Sequence, residues 1–201
     1  MKNLKFLLLP FVCFMMAINF VSCNKEDDPS SSSKDDVTYN LPDGLWKLIK
    51  NNNYDYNHWG ISSLLISDNA WVWESNGDMS DFLPYVNAPF SKIEERFKEG
   101  WGLCVCRYDK ENDLYLLYES AYSDWDKLCY FIDFINVAKI SVNDNIMQCT
   151  VYWEVGTYSN PKTATYEEIM NESKFSTLSP DNIKRLERAD KDILTYKLYE
   201  E

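Results

Sequence analysis

The stretch "ISSLLISDNAWVWES", residues 61–75, predicts a β-hairpin. Two runs rich in aliphatic and aromatic residues flank the pair Asp68–Asn69. Because Asp and Asn suit tight two-residue turns, we expect the chain to reverse direction at this pair. Trp71 and Trp73 stand two residues apart, which places both side chains on the same face of the second strand.

The same period of two residues recurs on both sides of this hairpin. A first strand is predicted at "GLWKLIK", residues 44–50. A second hairpin joins "WGLCVCRY" (101–108) to "LYLLYES" (114–120) through "DKEND". A third joins "LCYFIDFINVAKISV" (128–142) to "IMQCTVYWEV" (146–155) through "NDN", which is a strong turn signal.

One segment has helical spacing instead. In "FSKIEERFKEG", residues 90–100, the apolar residues Phe90, Ile93 and Phe97 recur every three or four positions. Gly100 is expected to end this helix. The segment "TATYEEIMNES", residues 163–173, fits either a strand or a helix.

The C-terminal stretch allows two interpretations. We predict a hairpin between "NIKRLER" (182–188) and "ILTYKLYEE" (193–201), with "ADKD" as its turn. The rival is a short helix over the first run, with Ser179 as N-cap and Pro180 at the first helical position.

About eight strands joined mostly by short turns predict an all-β fold with one or two short helices. An antiparallel up-and-down sheet avoids exposed edges best by closing into a β-barrel. We therefore expect a single β-barrel domain over residues 41–201. At eight strands its interior would hold side chains or one small ligand.

The two ends of this domain resemble known proteins. Gly44 and Trp46 in "DGLWKLIK" are similar to the GxW motif that opens lipocalins. The segment "NIKRLERADKDILTYKLYE", residues 182–200, resembles the closing hairpin of lipocalin-like domains in Bacteroidota lipoproteins. The resemblance implies a barrel-shaped binding or structural module. It also implies that Trp46 closes the barrel floor and belongs to the core.

The N-terminus predicts export. Two lysines precede an apolar run from Phe6 to Val21, as in a secretory signal peptide. "FVSC", residues 20–23, resembles the lipobox of bacterial lipoproteins, whose cysteine is acylated; Cys23 would then carry the lipid. "NKEDD", residues 24–28, resembles the surface-export signals of Bacteroidota lipoproteins. An uncleaved membrane helix is the rival, but Asn19 interrupts a run that is at or below the ~17-residue lower limit.

These features predict three parts. Residues 1–22 form a lipoprotein signal peptide, residues 23–40 a lipidated cysteine with an acidic, serine-rich flexible tether, and residues 41–201 the barrel. The resemblance implies an outer-membrane location, lipid-anchored and exposed at the cell surface. The tether is too polar to bury a core of its own.

The charge excludes one class of partner. The formal net charge is −12, and such a surface repels phosphate backbones and anionic lipid headgroups. We find no basic stripe and no zinc-finger spacing. Nucleic-acid binding is therefore not expected.

Four cysteines remain in the predicted barrel, and their state is open. An exported protein can form disulfides, and four cysteines allow three connectivities. Buried free thiols are the main rival, because cysteine is readily buried. Metal binding is not expected, since no CxxC pair or neighbouring histidine supports it. The four are Cys104, Cys106, Cys129 and Cys149.

Aromatic residues are the best candidates for a ligand site. Tyr54, Tyr56 and Trp59 lie in the predicted loop "YDYNHW", and Trp125 lies in "YSDWD". Exposed aromatic rings at a barrel mouth could stack on a small apolar molecule or a glycan. Trp71 and Trp73 are further candidates, although core packing is the rival role for both.

No catalytic constellation is recognisable. The only histidine, His58, lies in a polar predicted loop, so a nucleophile–histidine set cannot be built around it. We predict a non-enzymatic, lipid-anchored envelope protein, without a cofactor, that binds a small apolar or glycan ligand or acts structurally. The alternative is a glycan hydrolase that uses a pair of carboxylates.

Overall fold

The computed structural model describes residues 41, 43–52, 63–74, 79–98, 102–124, 127–157 and 159–200, and its framework is antiparallel β-sheet. The ten strands are β1 Gly44–Asn51, β2 Ser63–Ser67, β3 Ala70–Glu74, β4 Leu103–Asp109, β5 Leu114–Asp124, β6 Lys127–Phe131, β7 Phe134–Asn143, β8 Ile146–Gly156, β9 Thr163–Ala164 and β10 Lys191–Leu198.

Eight of these strands close into a barrel. The order around it is β1-β2-β3-β4-β5-β7-β8-β10, and β10 pairs with β1 to complete the circle. The all-β barrel predicted from the sequence is thereby confirmed. The other two strands, β6 and β9, extend the sheet from the far half of β5.

The two ends of the barrel differ in their connections. Three short turns lie at one end, here called the hairpin end, and they include Asp68–Asn69 and Asp144–Asn145 as predicted. Asp68, Asn69 and Asp144 have φ angles of 42°, 62° and 53°, the left-handed values that such turns require. The longer connections leave from the opposite end, here called the loop end.

The helical segments are short. The α-helices are α1 Phe90–Phe97, α2 Tyr166–Asn171 and α3 Pro180–Leu186. The 3-10 turns are Met79–Asp81, Leu83–Tyr85 and Ser173–Phe175. The helix predicted in residues 90–100 is confirmed, and the ambiguous segment 163–173 divides into β9 followed by α2.

The hairpin predicted near residues 182–201 is wrong. Residues 180–186 form α3, and the Ser179 hydroxyl accepts a hydrogen bond from the Asn182 backbone N–H at 3.2 Å. Pro180 supplies the fixed φ angle that suits the first helical position. The strand β10 instead finds both partners elsewhere, in β8 and β1.

The long strand predicted over residues 128–142 is also divided. It breaks at Ile132 and Asp133, between the end of β6 and the start of β7, which pairs within the barrel. Asp133 stabilises the break, since its carboxylate accepts the Lys162 N–H at 3.0 Å and its carbonyl accepts the Thr157 N–H at 3.1 Å.

A second layer covers the outer face of β2, β3, β4 and β5. We call these four strands the covered wall. Outward side chains such as Leu65, Val105 and Leu116 are fully buried beneath Phe82, Ile93 and other apolar residues of residues 79–98 and α2. The Phe90 N–H at the start of α1 donates to the Asp68 carboxylate at 2.7 Å, which ties the helix to the β2–β3 turn.

Two buried charged residues fasten this layer to β4. The Arg107 guanidinium donates to the carbonyl oxygens of Ile169 and Glu172 at the end of α2, the latter at 2.8 Å. The Asp109 carboxylate is fully buried and accepts the Leu178 backbone N–H at 2.8 Å. It also accepts backbone and side-chain N–H groups of the following turn. Burial lowers the pKa of Arg107 from its ordinary value.

The exposed wall consists of β1, β8, β10 and the second half of β7. Buried and exposed residues alternate along β10, and buried residues of β8 are separated by more exposed ones. This pattern is typical of a sheet with one face on the core and one in water. The covered wall lacks it, because β2 is buried at every position.

All eight barrel strands lie within residues 41–200, inside a compact unit that spans Thr38–Glu201. The same range contains both apolar cores, one inside the barrel and one between the covered wall and the layer outside it. A region with its own core can fold by itself. Within the described residues, no helix is long and apolar enough to cross a membrane.

Candidate functional site

The interior of the barrel is filled by side chains from all eight strands. The buried members are each at most 7% exposed. They are Trp46, Leu64, Ile66, Trp71, Trp73, Cys104, Cys106, Tyr115, Leu117, Ala138, Met147, Cys149, Val151, Leu194 and Tyr196, with Leu41 from the chain before β1. Trp46 is fully buried, in agreement with the core role implied by the lipocalin resemblance.

Polar side chains enter this interior towards the loop end. Directly paired residues of antiparallel strands share a face, so the register identifies the inward positions. Glu119 pairs with Cys104, Asn136 pairs with Leu117, and Asp192 pairs with Val151. Asn136 and Asp192 are only 4% and 3% exposed. The barrel therefore holds two carboxylates and an amide among apolar neighbours.

Three tryptophans surround these polar groups. The Trp73 ring lies 5.6 Å from that of Trp71 in an edge-to-face arrangement and 5.3 Å from that of Trp153. The Trp153 indole N–H donates to the Asp192 carboxylate at 3.0 Å. We call Trp71, Trp73, Glu119, Asn136, Trp153, Asp192 and Tyr196 the loop-end cluster.

Several polar atoms of the loop-end cluster have no hydrogen-bond partner among the described residues. These are the indole nitrogens of Trp71 and Trp73 and the hydroxyl of Tyr196. The Trp73 indole lies near that hydroxyl but without the geometry of a full hydrogen bond. An unsatisfied buried donor costs about 1–3 kcal/mol, and such groups call for an explanation. Trp46, deeper in the barrel, has an unpartnered indole nitrogen as well.

A bulge aims the amide of Asn136 into the cluster. The register of β7 and β8 shifts between Ile135 and Val137, opposite Glu154, whose φ angle is 51°. The Glu154 backbone N–H donates to the Asn136 side-chain oxygen at 3.0 Å. The Asn136 amide nitrogen in turn lies 3.5 Å from the Glu119 carboxylate. Bulges that redirect side chains are common beside functional sites.

Burial raises the pKa of several inward groups. Burial raises the pKa of Glu119, and the nearby charge of Glu154 raises it further, while the Asn136 amide opposes the shift. Burial also raises the pKa of the Tyr196 hydroxyl well above its ordinary value. The Cys104 thiol, next to Glu119, has a raised pKa for the same reason. Such perturbed groups are often found in functional sites.

Of the aromatic residues chosen from the sequence, the structure places Trp71 and Trp73 in the loop-end cluster. Both are buried, so neither forms the exposed platform that a barrel mouth was expected to carry. Tyr54, Tyr56, Trp59 and Trp125 lie outside the described residues.

Sequence reasoning missed the polar half of the cluster. Asp192 was assigned to a turn, and Glu119, Asn136 and Trp153 were treated as ordinary strand residues. One signal was available, since Glu119 lies two residues beyond Leu117 and Asp192 two before Leu194 on strands of period two. A charged residue at an inward position is unusual unless it has a partner or a task.

The four cysteines are free and buried. Cys104, Cys106 and Cys149 line the barrel interior, so Cys104 and Cys106 share one face of β4. Cys129 lies on β6, where its thiol donates to the Ala121 carbonyl oxygen at 3.2 Å. The predicted disulfide alternatives are therefore not present in this structure. Within the described ranges no three acidic, histidine or cysteine side chains form a metal-binding group.

Comparisons with known proteins found no family model, no curated protein and no solved structure that matches this chain.

Proposed function

We propose that this protein is a lipid-anchored envelope protein whose lipocalin-like barrel binds a small ligand without transforming it. The observation that carries the ligand proposal is the loop-end cluster. It combines indole N–H and hydroxyl groups that lack a partner in the described part of the chain with carboxylates inside an apolar barrel. Polar groups that converge in an apolar setting are typical of ligand sites.

The chemistry of the cluster favours a hydroxylated ligand with an apolar face, such as a short glycan or a hydroxylated lipid fragment. Indole N–H groups donate, carboxylates accept, and a hydroxyl group can satisfy either. The Trp73 and Trp153 rings offer apolar surface next to Asp192. Below the cluster the interior is filled, so the ligand would be held at the loop end.

A matched pair of tryptophan variants tests this site. Trp73→Phe removes an unpartnered N–H in the cluster, and Trp46→Phe removes an equally unpartnered one deeper in the barrel. Native mass spectrometry of the protein from its own envelope is expected to show a bound small molecule in wild type and Trp46→Phe. Trp73→Phe combined with Asp192→Asn is expected to lose it. A wild-type protein that carries no added mass would contradict the ligand proposal and leave the structural role.

Anchoring at Cys23 has its own test. The intact mass of the detergent-extracted protein is expected to equal the chain from Cys23 to Glu201 plus acyl groups. Each buried methylene contributes ~0.8 kcal/mol, so two or three acyl chains hold a protein almost permanently. A chain that begins at Met1 and carries no acyl mass would disprove the anchor.

One observation favours the hydrolase alternative. Glu119, with its raised pKa, and Asp192 both face the barrel interior, and a glycosidase pairs a protonated carboxylic acid with a second carboxylate. Turnover of chromogenic aryl glycosides that disappears in both Glu119→Gln and Asp192→Asn would establish it. A protein that only binds its ligand needs no such carboxylate pair, and we therefore expect no turnover.

A further inference from the structure

The outer face of the exposed wall concentrates basic residues in an otherwise acidic protein. Five exposed lysines point outwards from three of its four strands, whereas the acidic residue Asp192 on β10 points inwards. The lysines are Lys47 and Lys50 on β1, Lys139 on β7, and Lys191 and Lys197 on β10. Among the acidic residues nearby, Asp190 precedes β10, Glu200 follows β10, and Glu154 is exposed on β8 near the loop end.

Two of these lysines stand directly opposite each other. Lys47 pairs with Lys197 across the β1–β10 ladder, so both side chains leave the same face. Directly opposed residues have Cβ atoms about 4.5–5.5 Å apart, and like charges in such a pair are destabilising. The two ion pairs found among the described residues join other side chains, so neither lysine is neutralised by a carboxylate there. An anion bound between them would relieve the repulsion.

Apolar side chains surround this pair. Lys47, Ile49, Lys197 and Tyr199 line a shallow depression of about 230 Å³, together with Leu198 and Glu200. Ile49 is 53% exposed, Tyr199 37%, and Ile193 on the same wall 39%. Lysines beside exposed aliphatic and aromatic groups match a membrane interface, where headgroups are anionic and the layer beneath them is apolar.

We propose that the exposed wall docks against anionic lipid headgroups of the membrane that carries the protein, with a headgroup phosphate between Lys47 and Lys197. The choice of a membrane rests on the anchor proposed at Cys23. The first strand after that cysteine is β1, which belongs to the wall.

Vesicle co-sedimentation of residues 24–201, which contain the whole barrel and no acylation site, tests the wall independently of the anchor. The probes are vesicles of phosphatidylcholine alone and with 30 mol% phosphatidylglycerol. We expect binding to the anionic vesicles only, weakened as salt rises. Lys47→Gln/Lys50→Gln/Lys197→Gln is expected to bind roughly 100-fold more weakly, at about fivefold per lysine.

The matched control is Lys92→Gln/Lys110→Gln/Lys162→Gln, which makes the same charge change at exposed lysines elsewhere. It is expected to bind like wild type, with circular dichroism confirming that both variants fold. Gln148→Lys, which adds a charge to the wall, is expected to bind about fivefold more tightly. Equal loss in both triple variants, no preference for anionic vesicles, or a dimer that only the wall variant disrupts would overturn the proposal.

Discussion

The covered wall and the exposed wall share the barrel interior but differ completely on the outside. Residues of β2 are buried at every position, whereas β10 alternates between buried and exposed residues. The inward faces of both walls are apolar over most of their length, so the difference arises from the outer layer. A continuous apolar run therefore signals that both faces of a strand are covered, and alternation signals that one face meets water.

The outer layer also explains where buried charges occur. Arg107 and Asp109 point outwards on the covered wall, and each forms hydrogen bonds with backbone groups of the layer above. The lysines on the exposed wall need no such partners, because water solvates them. Burial thus decides whether a charged side chain must be part of a hydrogen-bond network.

The largest expected effect comes from a charge placed on the outer face of each wall. Leu116 is fully buried on the covered wall, next to Arg107 across the strand pair, and Gln148 is exposed on the exposed wall. Leu116→Lys is expected to lower the free energy of unfolding by more than ~4 kcal/mol. Gln148→Lys should change it by less than about 0.5 kcal/mol. Urea denaturation followed by circular dichroism checks both; similar losses would show that the walls do not differ.

Two isoleucines sharpen the same comparison. Ile93 on α1 is fully buried against the covered wall, whereas Ile193 is 39% exposed on the other. Ile93→Ala is expected to cost about 2–5 kcal/mol, because it removes apolar contacts and leaves a cavity. Ile193→Ala should cost about 0.5 kcal/mol or less. The denaturation midpoints measure both, and an equal cost would mean that α1 does not stabilise the barrel.

Asp109 tests the attachment of the outer layer. Asp109→Ala leaves the Leu178 N–H and the N–H groups of the β4–β5 turn without their buried acceptor. A loss of about 2–3 kcal/mol in the free energy of unfolding is expected. Its neighbour Lys110 is exposed, so Lys110→Ala is the control and should have little effect. Hydrogen exchange at Leu178 that is unchanged in Asp109→Ala would contradict this role.

The smallest expected effect concerns the interior that the walls share. The folded protein holds the Glu119 proton more tightly than the unfolded chain, because burial raises the pKa of that carboxyl. Stability contributed by Glu119 is therefore present at low pH and falls as pH rises from about 4.3 through the folded pKa. The free energy of unfolding of Glu119→Gln should lack this decrease with rising pH. Glu168, whose pKa is lowered by the Thr165 N–H, should show the opposite slope in Glu168→Gln comparisons.

The turns and strand faces near them were predictable, because their signals are local. Asp68–Asn69 adopts the left-handed turn that those residue types favour, and Trp71 and Trp73 face the same side as their spacing requires. The segment 180–186 was not predictable by period alone, since its short run fits strand and helix. Ser179 and Pro180 decided it through the geometry of a helix start.

The loop-end cluster was only half visible in the sequence. Trp71 and Trp73 were singled out by residue type, but Glu119 and Asp192 gain their meaning from inward positions on distant strands. Their proximity to the tryptophans depends on pairings between strands far apart in the chain. The two-residue period of a strand shows which side chains share a face. It does not show whether that face points into the barrel or out of it.

An antiparallel barrel could be predicted from local patterns, because alternation and turn residues act within a few positions of each other. Which walls are covered and which charges meet depends on pairings between distant parts of the chain. Lys47 and Lys197 stand opposite each other because β10 closes the barrel against β1, a long-range pairing fixed by backbone hydrogen bonds. The net charge of −12 predicts a surface that repels anions, yet strand closure gathers lysines on one wall. Composition counts charges, and the fold decides where they lie.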